Sequence, residues 1–166
     1  DVGTGDVTSL ACIPEDAQDS AGFLMKGDGV IAGVEVARRV LAYGAPGVKF
    51  EADVKDGDRV LTGQVIAWVE GPAREILTAE RLALNFMQRM SGIATGTRKV
   101  VDILEGTGTR VLDTRKTTPG IRAFEKAAVA IGGGMNHRMG LFDQILIKDN
   151  HVAYAGNMAA AVGRAR

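Results

Sequence analysis

Four short stretches of the 166-residue chain hold side chains suited to gripping an anion. "LDTRKTTPG" sets Arg115 beside Lys116; "NHR" supplies His137 and Arg138; "IKDNH" supplies Lys148, followed by Asp149, Asn150 and His151; and "AER" contains Arg81. An arginine fork matches a carboxylate, and a lysine ammonium serves carboxylate or phosphate as a point charge. Each has a bland alternative. A lone Arg-Lys pair usually sits on a solvated loop, His137-Arg138 could cap nearby carbonyls, and Arg81 could be a surface cation. Gly132-Gly133-Gly134 could simply end a helix, or could let backbone amides approach an anion. Lys148 is harder to dismiss, because it directly follows Ile145-Leu146-Ile147 in what reads as a buried strand. At least four permanent cations and two imidazoles at one mouth, with no acid run to match them, would repel one another unless an anion sits among them. The expected ligand is a small molecule carrying several negative charges.

These groups must be positioned by a scaffold, and the apolar pattern describes one. Residues 1–8, rich in Gly, Asp and Thr, read as a surface loop. "VEVARRVLAYG" reads as a short amphipathic helix ended by Gly44. Val48, Phe50, Ala52 and Val54 alternate with polar residues ahead of Asp56-Gly57, which predicts a hairpin turn, and the β pattern resumes at Val60 and from Val65 to Val69. Thr78 then reads as the N-cap of a helix carrying Leu82, Phe86, Met90 and Ile93 at helical spacing, with Ser91-Gly92 as the place for a bend or break. Arg81 falls in its first turn, where the helix dipole disfavours a cation. The Met and Phe stripe reads as core packing. From Thr109 the order becomes strand, helix, strand: "TRVLDTRK", then "PGIRAFEKAAVAI" with Pro119 suited to the first turn, then "DQILIKDNH". Charge crowded just past the end of a short apolar strand, twice in succession, is the pattern of α/β barrels and open parallel sheets. Were the two strands parallel neighbours, Arg115 and Lys116 would face the same side as Lys148.

Composition narrows the function classes. The hydrophobic share of 46% is ample for a packed core, and twenty Lys plus Arg balance twenty Asp plus Glu. No global field therefore draws the chain to nucleic acid or to a membrane surface. Cys12, the one cysteine, has no internal partner for a disulfide, reads as a small buried side chain, and fits a reducing, cytoplasmic location. No apolar run approaches a membrane span, and the N-terminal residues lack the look of a signal peptide.

Taken together, "DVGTGDVTS", "LTAERLALNFMQRMSGIATGT" and the block from Asp113 to His151 resemble the quinolinate phosphoribosyltransferase family (nicotinate-nucleotide pyrophosphorylase, carboxylating; the type II phosphoribosyltransferases). The resemblance runs through essentially the whole chain. It implies an α/β protein with a small α+β N-terminal domain over 1–82, followed over 83–166 by the first part of an open α/β (TIM-like) barrel. It implies phosphoribosyl transfer from phosphoribosyl pyrophosphate to quinolinate with decarboxylation, yielding nicotinate mononucleotide, pyrophosphate and CO2 on the route to NAD. Mg2+ and a homodimer are implied with it. Position by position, Arg115 would bind one quinolinate carboxylate and His137 with Arg138 the other. Lys116 would lie between the quinolinate and phosphoribosyl sites, Lys148 would complete the cationic wall, and both lysines would be catalytic. Arg81 would reach the neighbouring subunit's site. Asn150 and His151 match the motif without an assigned role.

A closed barrel takes about 250 residues, so the barrel is expected to be incomplete in this chain, with metal-facing acids beyond Arg166, no metal ligands within it, and no turnover by these residues alone. Two other functions stay open at this point. One is a paralogue acting on nicotinate or another anionic acceptor. The other is a biotinyl- or lipoyl-like carrier module, since "VKDGDRVLTGQVIAWVEG" resembles a carrier hairpin, although it lacks the modifiable lysine at a tight turn.

Overall fold

The computed structural model describes residues 1–166, and its secondary structure begins earlier than the Gly-rich opening suggests. Asp6 caps a first helix, α1 (Val7–Cys12), its carboxylate accepting from Thr8 N and Ser9 N at 3.1 Å each. A capping acid thus recruits Val7 and Thr8, which composition alone assigned to loop. Cys12 is exposed on this helix, not buried as expected. There follow β1 (Gln18–Leu24), β2 (Gly29–Val30), α2 (Val34–Gly44), β3 (Lys49–Ala52), β4 (Arg59–Val60) and β5 (Val65–Pro72).

β5 is the centre of a three-stranded antiparallel sheet in the order β1-β5-β3, with Ser20 opposite Glu70 and Phe50 opposite Val69. β2 and β4 pair separately. The Asp56-Gly57 turn therefore does not close a hairpin. β3 and β4 belong to different sheets, and the loop is tied elsewhere: Gly57 N donates to Ile31 O, and Val34 N to Asp56 Oδ1, both at 2.9 Å. Those two bonds fix the entry of α2. β4 and β5 likewise lie in different sheets, joined through Leu61–Gln64 without a lysine, so the carrier-like stretch is scaffold.

α3 (Ala73–Ile103) leaves β5 directly, starting five residues before Thr78. It runs unbroken through Ser91-Gly92. Ser91 Oγ accepts from Ala32 N at 2.9 Å, and Thr95 Oγ1 from Val30 N at 2.9 Å, so Ser91, at the expected break, joins Thr95 in docking the helix onto β2 and the residues after it. Ile76, Ala79, Ala83, Met87, Met90 and Ala94 form its buried stripe at three- and four-residue spacing. The main core joins the first four of these to Phe23, Leu41, Phe50, Val60 and Ile66, with Phe23 and Phe50 edge to face at 5.7 Å. Burial of one such side chain, Leu41 for instance, contributes about 1.5–3 kcal/mol. Residues 82 and 83 lie mid-helix, and α3 enters a second cluster with Val30, Ala32 and Ala128.

α4 (Arg122–Ile131) packs across the later turns of α3. The triple glycine at its end serves this contact. A Cβ on Gly132 would stand 2.5 Å from Ala94 O and 2.7 Å from Thr97 Cβ. Gly132→Ala is expected to destabilise the fold by about 1–3 kcal/mol in urea unfolding, because the obstacle is helix backbone and cannot rotate away.

The parallel partner of residues 111–113 is Met135, not the 144–148 stretch. Met135 N donates to Val111 O at 2.8 Å, Asp113 N to Met135 O at 3.1 Å, and the bridge is parallel with α4 as its crossover. No strand forms over 144–148, where Ile145 is 72% exposed. An apolar run becomes a strand only where a neighbour supplies ladder bonds, and none pairs with this one. Two short helices, α5 (Asp149–Ala155) and α6 (Met158–Ala165), follow.

Candidate anion-binding site

Asp113, the first charged residue of "DTRK", anchors the site instead of facing solvent. Its carboxylate is 6% exposed and pairs with Lys126 of α4, which is 1% exposed. The same Oδ1 accepts from His137 N at 2.8 Å. The Asn136 amide, oriented with its nitrogen towards Asp113, donates to Oδ2 at 2.7 Å and to Lys126 O at 2.8 Å. One carboxylate therefore joins the 114–120 loop, the 136–138 loop and α4.

The cations sit on those two loops. Arg115 is half-buried, and its Nε is inaccessible to water and has no hydrogen-bond partner. Arg138 is buried, with Nη1 donating to Gln144 O at 3.3 Å. Lys116 is exposed. No carboxylate lies within ion-pair distance of Arg115, Lys116, Arg138 or Lys148. Arg138 N donates to His137 Nδ1 at 2.8 Å, which places the proton of a neutral imidazole on Nε2, ready to be donated. Arg122 spans the gap between the loops, donating to Thr117 Oγ1 at 3.0 Å and Met139 O at 3.1 Å.

The far end of the 114–120 loop is fixed by Glu125. Its carboxylate accepts from Arg89 Nη2 at 2.6 Å, Thr118 Oγ1 at 2.9 Å and Thr118 N at 3.0 Å. The Arg89 hydrogen bond, above all, holds the Glu125 carboxyl below its ordinary range against the opposing effect of burial. A lowered folded-state value means stabilisation that is complete above the unfolded range, near pH ~4.3, and lost as pH falls through the folded value. Glu125→Gln should therefore be less stable than the parent at neutral pH, with the gap closing in acid. Urea unfolding at a series of pH values between about 2 and 7 reads that convergence.

The remaining predicted residues lie further out. Lys148 is exposed at the start of α5, its backbone N–H donating to His151 Nδ1 at 2.9 Å; it does not end a buried strand. Arg138 and His151 line one open cleft of about 690 Å³, together with Arg164 and the apolar residues 145–147. Arg81 stands exposed on α3 in a different hollow, with Lys26, Glu80 and Gln88. The structure thus joins Arg115, Lys116, His137 and Arg138 through Asp113, sets Lys148 beside the cleft Arg138 opens into, and keeps Arg81 apart. Sequence reasoning missed Asp113, Lys126, Asn136 and the Arg89–Glu125–Thr118 cluster. Asp113 carried a signal, an acid directly behind an apolar strand; Lys126, in an alanine-rich helix, carried none.

Comparison with known proteins decides what family holds this arrangement. Residues 6–91 match the family described as quinolinate phosphoribosyl transferase, N-terminal domain, and residues 93–166 match its C-terminal domain. The chain belongs to the quinolinate phosphoribosyltransferase family. Among its relatives, quinolinate phosphoribosyltransferase (decarboxylating) 1b of Nicotiana tabacum is 49% identical over 95% of this chain and 45% of its own length. The probable nicotinate-nucleotide pyrophosphorylase (carboxylating) of Bacillus subtilis (strain 168) is 45% identical over 100% of this chain and 57% of its own. The chain spans about half the length of these relatives. The crystal structure of NadC from Streptococcus pyogenes superposes with a TM-score of 0.95 at 42% identity, covering 100% of this chain and 59% of that one. The mixed α/β fold of the family is thus the fold of this chain. No helix is long and apolar enough to cross a membrane.

Proposed function

We infer that this chain carries the dicarboxylate-binding part of a quinolinate phosphoribosyltransferase site, in a fold whose residues 1–82 form the α+β unit and whose residues 83–166 begin an open α/β barrel. The observation that carries this is Arg115 Nε, buried and without a partner, on a loop tied through Asp113 to the loop of the buried Arg138, with no carboxylate in ion-pair contact with either guanidinium. A guanidinium nitrogen left unsatisfied in this way stabilises an arriving carboxylate more than a solvated one would, because that atom is already out of water.

In the reaction proposed, Arg115 holds one quinolinate carboxylate and His137 Nε2 with Arg138 holds the other. The pyridine nitrogen attacks the ribosyl carbon of phosphoribosyl pyrophosphate as the bond to pyrophosphate breaks, through an oxocarbenium-like state at that carbon; pyrophosphate leaves with the electron pair and the nitrogen becomes cationic. Lys116 and Lys148 stabilise the negative charge that departs. Once the ring nitrogen is cationic, the carboxylate on the adjacent carbon leaves as CO2. The electron pair left behind is stabilised by that nitrogen and takes up a proton, giving nicotinate mononucleotide. Magnesium accompanies pyrophosphate chemistry in this proposal, but no three His, Cys, Asp or Glu side chains of the chain are grouped to hold a metal, so no step is routed through it. Arg81, set apart on α3, is proposed to serve the site of a second subunit in a homodimer. The compartment proposed is the cytoplasm, where a free exposed thiol is kept reduced.

Calorimetric titration tests the assignment. Quinolinate is expected to bind at least tenfold more tightly than nicotinate, since only quinolinate offers both loops a carboxylate; equal affinity for the two would remove the dicarboxylate basis.

A further inference from the structure

Lys126 is 1% exposed and pairs with Asp113, 6% exposed, inside the protein. A buried ion pair is weak evidence for stability, because desolvating both charges offsets much of their attraction, and neutral groups of similar shape often do as well. The bonds around this pair show what it does instead. Asp113 Oδ1 accepts from both Lys126 and His137 N, Oδ2 accepts from Asn136, and Asn136 donates back to Lys126 O at 2.8 Å. Asp113 stands two residues before Arg115, and Asn136 two before Arg138. Both cationic arms therefore leave from one fixed carboxylate, on strands that are themselves joined by the Leu112–Met135 bridge. A neutral amide at 113 would accept at most two donors, on its one oxygen, and not three at once with the strength a carboxylate gives.

We propose that Asp113 and Lys126 are positioning residues, a buried charge pair that fixes the spacing and direction of the Arg115-Lys116 and His137-Arg138 arms so that both carboxylates of a planar diacid are met together. The pair acts through the loops and contacts no substrate. This deepens the function proposed above and rests on it. It also explains why an ion pair stands where an apolar pair would pack: fixed geometry at the mouth requires an acceptor strong enough to hold α4 and the 136–138 loop at once.

The test is the double variant Asp113→Asn/Lys126→Met, which removes both charges with little change of shape, compared with the parent protein. Three quantities are read: the urea midpoint, the quinolinate Kd by calorimetry, and hydrogen exchange at the His137 and Arg138 amides. The expected result is a midpoint close to the parent's, a Kd at least tenfold weaker, and His137 exchange at least tenfold faster. A merely structural pair would let affinity return with stability, so a Kd within twofold of the parent's overturns the proposal. Should the double variant not fold, Asn136→Ala, which keeps both charges but removes the Asn136 bonds to Asp113 and Lys126 O, is read for Kd and His137 exchange by the same limits. Should the parent bind no quinolinate, the function proposed above fails, and positioning is then decided by exchange alone: unchanged protection at His137 overturns it.

Discussion

Arg115→Ala is expected to weaken quinolinate binding by roughly 30- to 150-fold, about 2–3 kcal/mol, the range for hydrogen bonds to a charged group. The same change should leave folding stability nearly untouched or slightly improved. Arg115 makes no side-chain hydrogen bond or ion pair in the free protein, and its Nε is buried with nothing to bond. Its truncation removes an unsatisfied donor from the interior instead of a contact. On the function proposed here, the cost of that unsatisfied donor to the fold is offset when a carboxylate completes it. Calorimetry for Kd and urea unfolding for stability, on the same samples, check both halves. A Kd within threefold of the parent's would show that no carboxylate meets this side chain. A stability loss matching the affinity loss would show that Arg115 belongs to the scaffold.

Lys126→Met should give the opposite pattern, a large loss of stability, about 3–5 kcal/mol. The variant fills the same space but leaves the Asp113 carboxylate, 6% exposed, without its counter-charge. The donations from His137 N and Asn136 persist and soften the effect without cancelling a net buried charge. Removal of that charge by Asp113→Asn in the Lys126→Met background should recover most of the loss, a coupling that two independent sites would not show. Denaturant unfolding of the four proteins measures it. A loss below about 1 kcal/mol for Lys126→Met would mean that water reaches the carboxylate and that the pair is a surface one in energetic terms.

These two residues mark how far one-dimensional information reaches at the site. Arg115 could be singled out because charge type next to a strand end is a local property, and the structure adds to it a buried Nε without a partner. Lys126 was not legible, because a lysine in a helix is ordinarily a surface residue, and only the approach of α4 to Asp113 reverses that. The 144–148 run failed differently: its hydrophobicity was read correctly, but strand formation depends on a neighbour and not on the run itself. Met135 took the place beside Leu112 because the chain returns from α4 at Gly132–Gly134, directly against α3.

By itself, the sequence determined the helices with clear apolar periodicity, the β character of 48–69 and the family, all of which rest on interactions between near neighbours in the chain or on motif identity. The tertiary structure alone decided that β3 pairs with β5 and not β4, that Ser91 docks α3 instead of breaking it, that Cys12 is exposed, and that one buried carboxylate serves both cationic arms. Each of these is a contest between partners far apart in sequence, settled by which backbone groups and charges can be satisfied at once when the layers pack.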